Sequence, residues 1–157
     1  MSQRILIVCM GNICRSPMAE GLLRHKLAIA GISQRVDVDS AGTGPWHVGN
    51  PPDPRAVTAC AEHGVAIDDL RGRQVSLDDF TQFNLVLCSD RQNLQHLRTL
   101  APREAWPRIG LLLAWAGLGA DAEVPDPYAG AIADFRRVYS LLDRATDAIL
   151  TKLQLPA

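Results

Sequence analysis

Ile5 to Met10 is an unbroken apolar run that stops at Gly11 and Asn12. A short apolar run closed by turn-forming residues reads as a strand buried on both faces, here Arg4 to Cys9. Directly after it the period changes. Met18, Leu22, Leu23 and Leu27 recur at the three-and-four spacing of one helical face, so Ser16 to Ala30 reads as a helix. Pro17 suits its first turn and Gly31 its stop. Val36 to Ser40 alternates apolar and polar positions, the mark of a second strand.

The stretch GNPPDPRAVTACAEHG supplies a loop and then a second helix, with Asp53 as its N-cap, Pro54 in its first turn and Gly64 at its end. Ser76 to Asp79 has the form of a capping box opening a short helix. Leu85 to Cys88 reads as a third buried strand, Asp90 to Leu100 as a helix, and Ile109 to Leu113 as a fourth strand. Phe135, Val138, Leu142, Ala145 and Ile149 keep a helical spacing and predict a long amphipathic terminal helix. Internal repeats and low-complexity tracts are absent. Strands alternating with helices predict an α/β fold in three layers: a doubly wound, four-stranded parallel sheet with helices on both faces. Such sheets bind ligands beyond the carboxyl ends of their strands, where CMGNICRS follows the first strand.

The 157 residues, 47% of them hydrophobic, suit one domain over 1–157 with a proper core. A formal charge of −1, with scattered lysines and arginines, gives no footprint for nucleic acid. The apolar run at Ile5 to Met10 is too short for a signal core or a membrane span. The expectation is a cytoplasmic protein with no membrane partner. The four cysteines, at 9, 14, 60 and 88, form neither a CxxC pair nor a zinc-type cluster, so they are expected as free thiols with no metal. Cys60 and Cys88 read as small buried hydrophobes.

Cys9 is judged by its neighbours. Five residues separate it from Arg15, and a loop of that length entering a helix can turn its backbone N–H groups toward one point, an anion site backed by the helix dipole. Gly11 allows a conformation or an approach that a side chain would obstruct, and Asn12 tolerates the left-handed region while its amide braces the loop. Arg15 adds a planar fork for two phosphate oxygens. The same positive surroundings favour thiolate over thiol at Cys9. Ser16 can donate a hydrogen bond to that sulfur, or serve as an ordinary helix N-cap, and the two roles can coexist. No GxxxxGK[ST] occurs, which disfavours a nucleotide cradle.

With VCMGNICRSPMAEG, DSAGTGPWHVGNPPDPRAV and VPDPYAG in this order, the sequence resembles the low-molecular-weight protein tyrosine phosphatases over essentially its whole length. The resemblance implies two-step hydrolysis of phosphotyrosine and other aryl phosphate monoesters through a cysteinyl-phosphate, without metal or cofactor. It assigns Cys9 as nucleophile, Arg15 as phosphate clamp, and Met10, Gly11, Asn12, Ile13, Cys14 and Arg15 as the ring of phosphate-binding donors. Asp126 takes the role of general acid. Independently, a phenol of pKa about 10 leaves poorly as an anion, and a positioned acid is worth ~10²–10⁴ in rate. Pro125 and Pro127 stiffen the segment around Asp126, although the residues alone read equally well as a turn. Asn12 and Ser40 match the polar pair that holds the loop, with Ser16 supporting. Trp46 and Tyr128 match the walls of the substrate slot, although Trp46 by itself reads first as half-buried packing.

Cys14 matches a redox partner that captures oxidised Cys9 as a disulfide. The implied partner is a phosphotyrosine protein, a tyrosine kinase among the candidates, for a monomer or weak dimer. Ala129 departs from the DPYYG of many relatives, and Met10 stands at a variable position. Two other readings stay open: a thioredoxin-coupled arsenate reductase on the same scaffold, which needs further cysteines near the third strand, and a non-catalytic phospho-ligand binder. His47, His63, Trp106 and Trp115 read only as loop, surface or packing residues.

Overall fold

A computed structural model describes residues 3–155. Four strands, β1 (Gln3–Cys9), β2 (Val36–Gly42), β3 (Leu85–Cys88) and β4 (Ile109–Leu111), form one sheet in the order β2-β1-β3-β4. All three pairings are parallel, with Ile7 level with Ser40 on one side and Leu87 on the other. Parallel pairing forces each connection to cross a face of the sheet, and the helices are those crossings. They are α1 (Arg15–Ile29), α2 (Pro54–Ala61), α3 (Asp79–Gln82), α4 (Arg91–Leu100), α5 (Leu112–Trp115) and α6 (Ile132–Gln154). A 3₁₀ turn over Arg103–Arg108 leads into β4.

Alternation along β1 divides the core. Ile5 and Ile7 join the cluster holding Met18, Leu22, Leu23 and Leu27 of α1 and Phe135, Val138, Leu142, Ala145 and Ile149 of α6. Leu6 and Val8 point the other way, into a cluster with Phe80, Phe83, Val86, Cys88 and Leu97. The doubly wound α/β reading is thus observed, including the predicted apolar face of the terminal helix. Asp53 caps α2 as expected, accepting the Arg55 N–H at 2.8 Å. Among the described residues no helix is long and apolar enough to cross a membrane.

Three sequence expectations need correction. The fourth strand stops at Leu111, and Leu112 and Leu113 form the first turn of α5, buried in the larger cluster. An apolar run cannot by itself separate a strand from a buried helical turn. The Asp79 carboxylate does accept the Ser76 N–H at 2.8 Å, but it is also gripped by both terminal nitrogens of Arg73 at 3.0 Å. Ser76 is not the N-cap: a turn over 77–78 intervenes and the helix begins at Asp79. Ser16 is not an N-cap: α1 begins at Arg15 after Cys14, and the Ser16 hydroxyl is turned toward Cys9. Because all four strands run the same way, the loops after β1, β3 and β4 emerge at one end of the sheet.

Candidate active site

In the loop from Met10 to Cys14, three carbonyls are taken up by protein donors. Met10 O accepts from Gly44 N at 3.0 Å, Ile13 O from Asp53 N at 2.8 Å and Cys14 O from Met18 N at 3.2 Å. The N–H groups of Gly11, Ile13, Cys14 and Arg15 find no acceptor among the described residues, while Asn12 N–H points at Cys9 Sγ at 3.3 Å. A loop with spare donors beside a helix N-terminus is an anion cradle. Asn12 sits at φ 58°, the one non-glycine residue in the left-handed region among those described. Gly11 serves close approach, since a Cβ there would stand 3.0 Å from the His47 ring.

Asn12 is the hub of a buried network. Its Nδ2 donates to Ser16 Oγ at 2.8 Å and to Ser40 Oγ at 3.0 Å, and its Oδ1 accepts from Arg73 N at 2.9 Å. Ser16 Oγ lies 3.0 Å from Cys9 Sγ, and with Asn12 filling an acceptor site its proton is free for the sulfur. Ser40 Oγ in turn donates to Glu20 Oε1 at 2.6 Å. Burial pushes the Glu20 carboxyl above its ordinary pKa, against the opposing pull of Ser40 and Arg24. A raised carboxyl binds its proton more readily in the folded chain, so this group's contribution to stability falls as pH rises through its titration range. Glu20 and Arg73 were missed in the sequence. Glu20 lies four positions after Ser16 and four before Arg24, one helical face, which was the available clue.

Arg15 is only 2% exposed, and its guanidinium is aimed by the neighbouring strands' loops. Nη1 donates to Asp90 Oδ2 at 2.7 Å and to Val124 O at 3.0 Å, and Nη2 lies 3.8 Å from Asp126 Oδ2. Burial opposes its charge, but the Cys9, Asp90 and Asp126 charges outweigh burial and raise its pKa. Asp90 does two jobs: its other oxygen accepts Asn93 N at 2.8 Å and caps α4. The sequence reading placed Asp90 only as the first residue of a helix; it is the cap, and α4 begins at Arg91.

Cys9, Arg15 and Asp126 line one cavity of about 220 Å³ together with Met10, Gly11, Ile13, Cys14, Trp46, His47 and Tyr128. Trp46 is 66% exposed, so the packing alternative fails, and it stands over Gly44, where a Cβ would collide with its ring at 1.7 Å. Tyr128, 53% exposed, lines the cavity too, its ring centroid 6.4 Å from that of His47. Asp126 Oδ1 accepts Tyr128 N at 3.1 Å, leaving Oδ2 as the oxygen toward Arg15. Arg55, paired with Asp53 at 2.9 Å, holds this loop through the Tyr128 and Gly130 carbonyls at 3.0 and 2.8 Å. His47, given no role in the sequence, lines the cavity as well. A larger groove of about 880 Å³ beside α4 contains none of Cys9, Arg15 or Asp126. Chemistry, not size, selects the site.

The sequence matches the profile of the low molecular weight phosphotyrosine protein phosphatases over residues 4–156. The chain belongs to this family. A Streptomyces coelicolor low molecular weight protein-tyrosine-phosphatase is 39% identical over 157 residues, covering 98% of this chain and 95% of the relative. The human low molecular weight phosphotyrosine protein phosphatase is 35% identical, with 96% of each chain covered. Among solved structures, YfkJ from Bacillus subtilis superposes with a TM-score of 0.91 at 35% identity, covering 98% of this chain and 96% of that one. An Entamoeba histolytica protein tyrosine phosphatase with Hepes in its active site gives 0.91 at 31% identity, covering 98% and 97%. The doubly wound sheet is therefore the fold of low molecular weight phosphatases.

The four thiols of this family member occupy unlike surroundings. Burial pushes both Cys60 and Cys88 up to about 12, aided at Cys88 by the Asp90 charge. Cys14 is raised further, by burial and then by the charges of Cys9, Asp53 and Asp126. Only a thiolate alkylates readily. We expect iodoacetate near neutral pH to modify the native chain at Cys9 alone, with inorganic phosphate protecting it. Peptide mass mapping checks this, and all four cysteines are expected to react after denaturation.

Proposed function

We propose that the chain hydrolyses phosphotyrosine and other aryl phosphate monoesters through a cysteinyl-phosphate. The observation that carries this reading is the meeting of Cys9, Arg15 and Asp126 in one cavity although Asp126 lies 117 positions beyond Cys9. A phospho-ligand binder has no use for a thiol and a carboxyl facing the same anion cradle.

In the first step the Cys9 thiolate forms a bond to phosphorus as the bond to the phenol oxygen breaks. Asp126 donates its proton to that oxygen. The equatorial oxygens are held by the loop N–H groups and by Arg15, whose negative neighbour Asp90 fixes the fork in place. In the second step Asp126, now a carboxylate, takes a proton from the attacking water, and Cys9 leaves as thiolate under the Ser16 hydroxyl. These groups supply the charge compensation, so the proposed reaction uses no metal or cofactor. Trp46 and Tyr128 flank the slot, which suits a long aryl phosphate and leaves phosphoserine short of Cys9.

The substrate class is a phosphotyrosine protein, a tyrosine kinase among the candidates. Cys14 lines the same cavity and is proposed to capture a Cys9 sulfenic acid as a disulfide, releasing water. The arsenate reductase reading finds less support, because Cys60 and Cys88 are buried in the core clusters and line no part of the cavity. The deciding experiment is hydrolysis of para-nitrophenyl phosphate in reductant and excess chelator. Undiminished turnover is expected, and none at all would refute the proposal.

A further inference from the structure

Beside Met10 and Trp46 lies a smaller cleft of about 130 Å³ that Asp126 does not line. Its remaining walls are Thr43, from the loop after β2, and Gln92, Asn93 and His96 on the first turns of α4. Met10 and Trp46 line both this cleft and the cavity of Cys9, so the two spaces adjoin through those residues.

Two largely buried polar groups in this cleft lack partners. Thr43 is 5% exposed, and its hydroxyl makes no hydrogen bond among the described residues. Asn93 is 2% exposed; its Oδ1 accepts Asp90 N at 3.2 Å, while its NH₂ donates to nothing described. Among the described residues no fully inaccessible side-chain nitrogen or oxygen is left unpaired, so both groups must keep a little accessible surface, and the cleft is the space both line. Polar groups with so little surface and no protein partner bond to whatever enters the space they border.

The first turn of α4 adds to this. Arg91 N–H is taken by Glu123 and Asn93 N–H by Asp90, but Gln92 N–H has no acceptor among the described residues. The free groups are thus mostly donors, at the positive end of a helix. The volume has room for a short carboxylate side chain.

We propose that this cleft is a second recognition subsite, taking the carboxylate of an acidic residue adjacent to phosphotyrosine. Met10 and Trp46 wall both spaces, and consecutive Cα atoms lie only about 3.8 Å apart, so the residues next to a phosphotyrosine seated at Cys9 are the parts of a substrate carried nearest to the cleft. The subsite rests on the phosphotyrosine reading above, and its test is built to fail separately.

Phosphotyrosine peptides carrying aspartate at the position before or after the phosphotyrosine are compared with the same peptides carrying asparagine. The expected kcat/KM ratio at one of the two positions is about tenfold in favour of aspartate, the worth of one charge-assisted hydrogen bond. Thr43→Val, and separately Asn93→Asp, which replaces the free NH₂ by an oxygen and keeps an acceptor for Asp90 N, are each expected to bring that ratio to within twofold of one. Each variant is its own reference, so a loss of folded protein cancels. A ratio near one in the parent at both positions overturns the subsite, as does a ratio that survives both variants. Absent hydrolysis of para-nitrophenyl phosphate by the parent would instead strike the function proposed above.

Discussion

Replacing Cys9 by serine is expected to lower turnover of an aryl phosphate by about 10⁴-fold or more, while inorganic phosphate still binds. The two effects separate because they belong to different atoms. Attack on phosphorus needs the sulfur, and a serine hydroxyl near neutral pH is a far weaker nucleophile with no adjacent base. Ser16, the nearest polar group at 3.0 Å, is itself a hydroxyl. Binding instead draws on the N–H groups of Gly11, Ile13, Cys14 and Arg15, none of which bonds to the sulfur, and on the Arg15 guanidinium, whose position is set by Asp90 at 2.7 Å and Val124 O at 3.0 Å. Steady-state kinetics on para-nitrophenyl phosphate, with phosphate binding by calorimetry, would measure both. A variant that loses phosphate affinity in proportion to turnover would mean that Cys9 holds the loop together and has no special role as nucleophile.

The fold was legible where physics acts locally. β1 and β3 are buried on both faces, so they appear as apolar runs, and α6 shows one face because only one face packs. The anion loop was legible because glycine and an asparagine suited to the left-handed region stand between a strand and a helix, with an arginine three positions further on. What escaped was polar and distant. Asp90 fixes Arg15 from 75 positions away, and Arg73 braces Asn12 from 61. Neither residue differs in its own neighbourhood from an ordinary helix cap or surface arginine. Glu20 escaped for the opposite reason: a glutamate on a helix reads as solvent-facing, and only the sheet packed over it buries it beside Ser40. His47 and Thr43 are further cases, since their importance lies in which spaces they border.

Asp126→Ala is expected to slow hydrolysis of unsubstituted phenyl phosphate by ~10²–10⁴-fold, the range for a lost general acid. The penalty is expected to shrink steadily as nitro substitution makes the departing phenol more acidic. That dependence is the specific signature. A stable phenolate leaves without help, whereas a basic one gathers charge on oxygen that only a proton can relieve. Geometry also predicts a change in binding: Asp126 Oδ2 stands 3.8 Å from Arg15 Nη2, so its carboxylate competes with phosphate for the same guanidinium. Removing that carboxylate is expected to tighten phosphate binding while chemistry slows, and Asp126→Asn, which keeps the shape but loses charge and acidity, is expected to do the same. Rates for a series of substituted phenyl phosphates, set beside phosphate affinity, test both halves. An equal loss on every ester would leave Asp126 without a role in proton transfer, and weaker phosphate binding would show that its main contribution is to hold the loop that carries Tyr128.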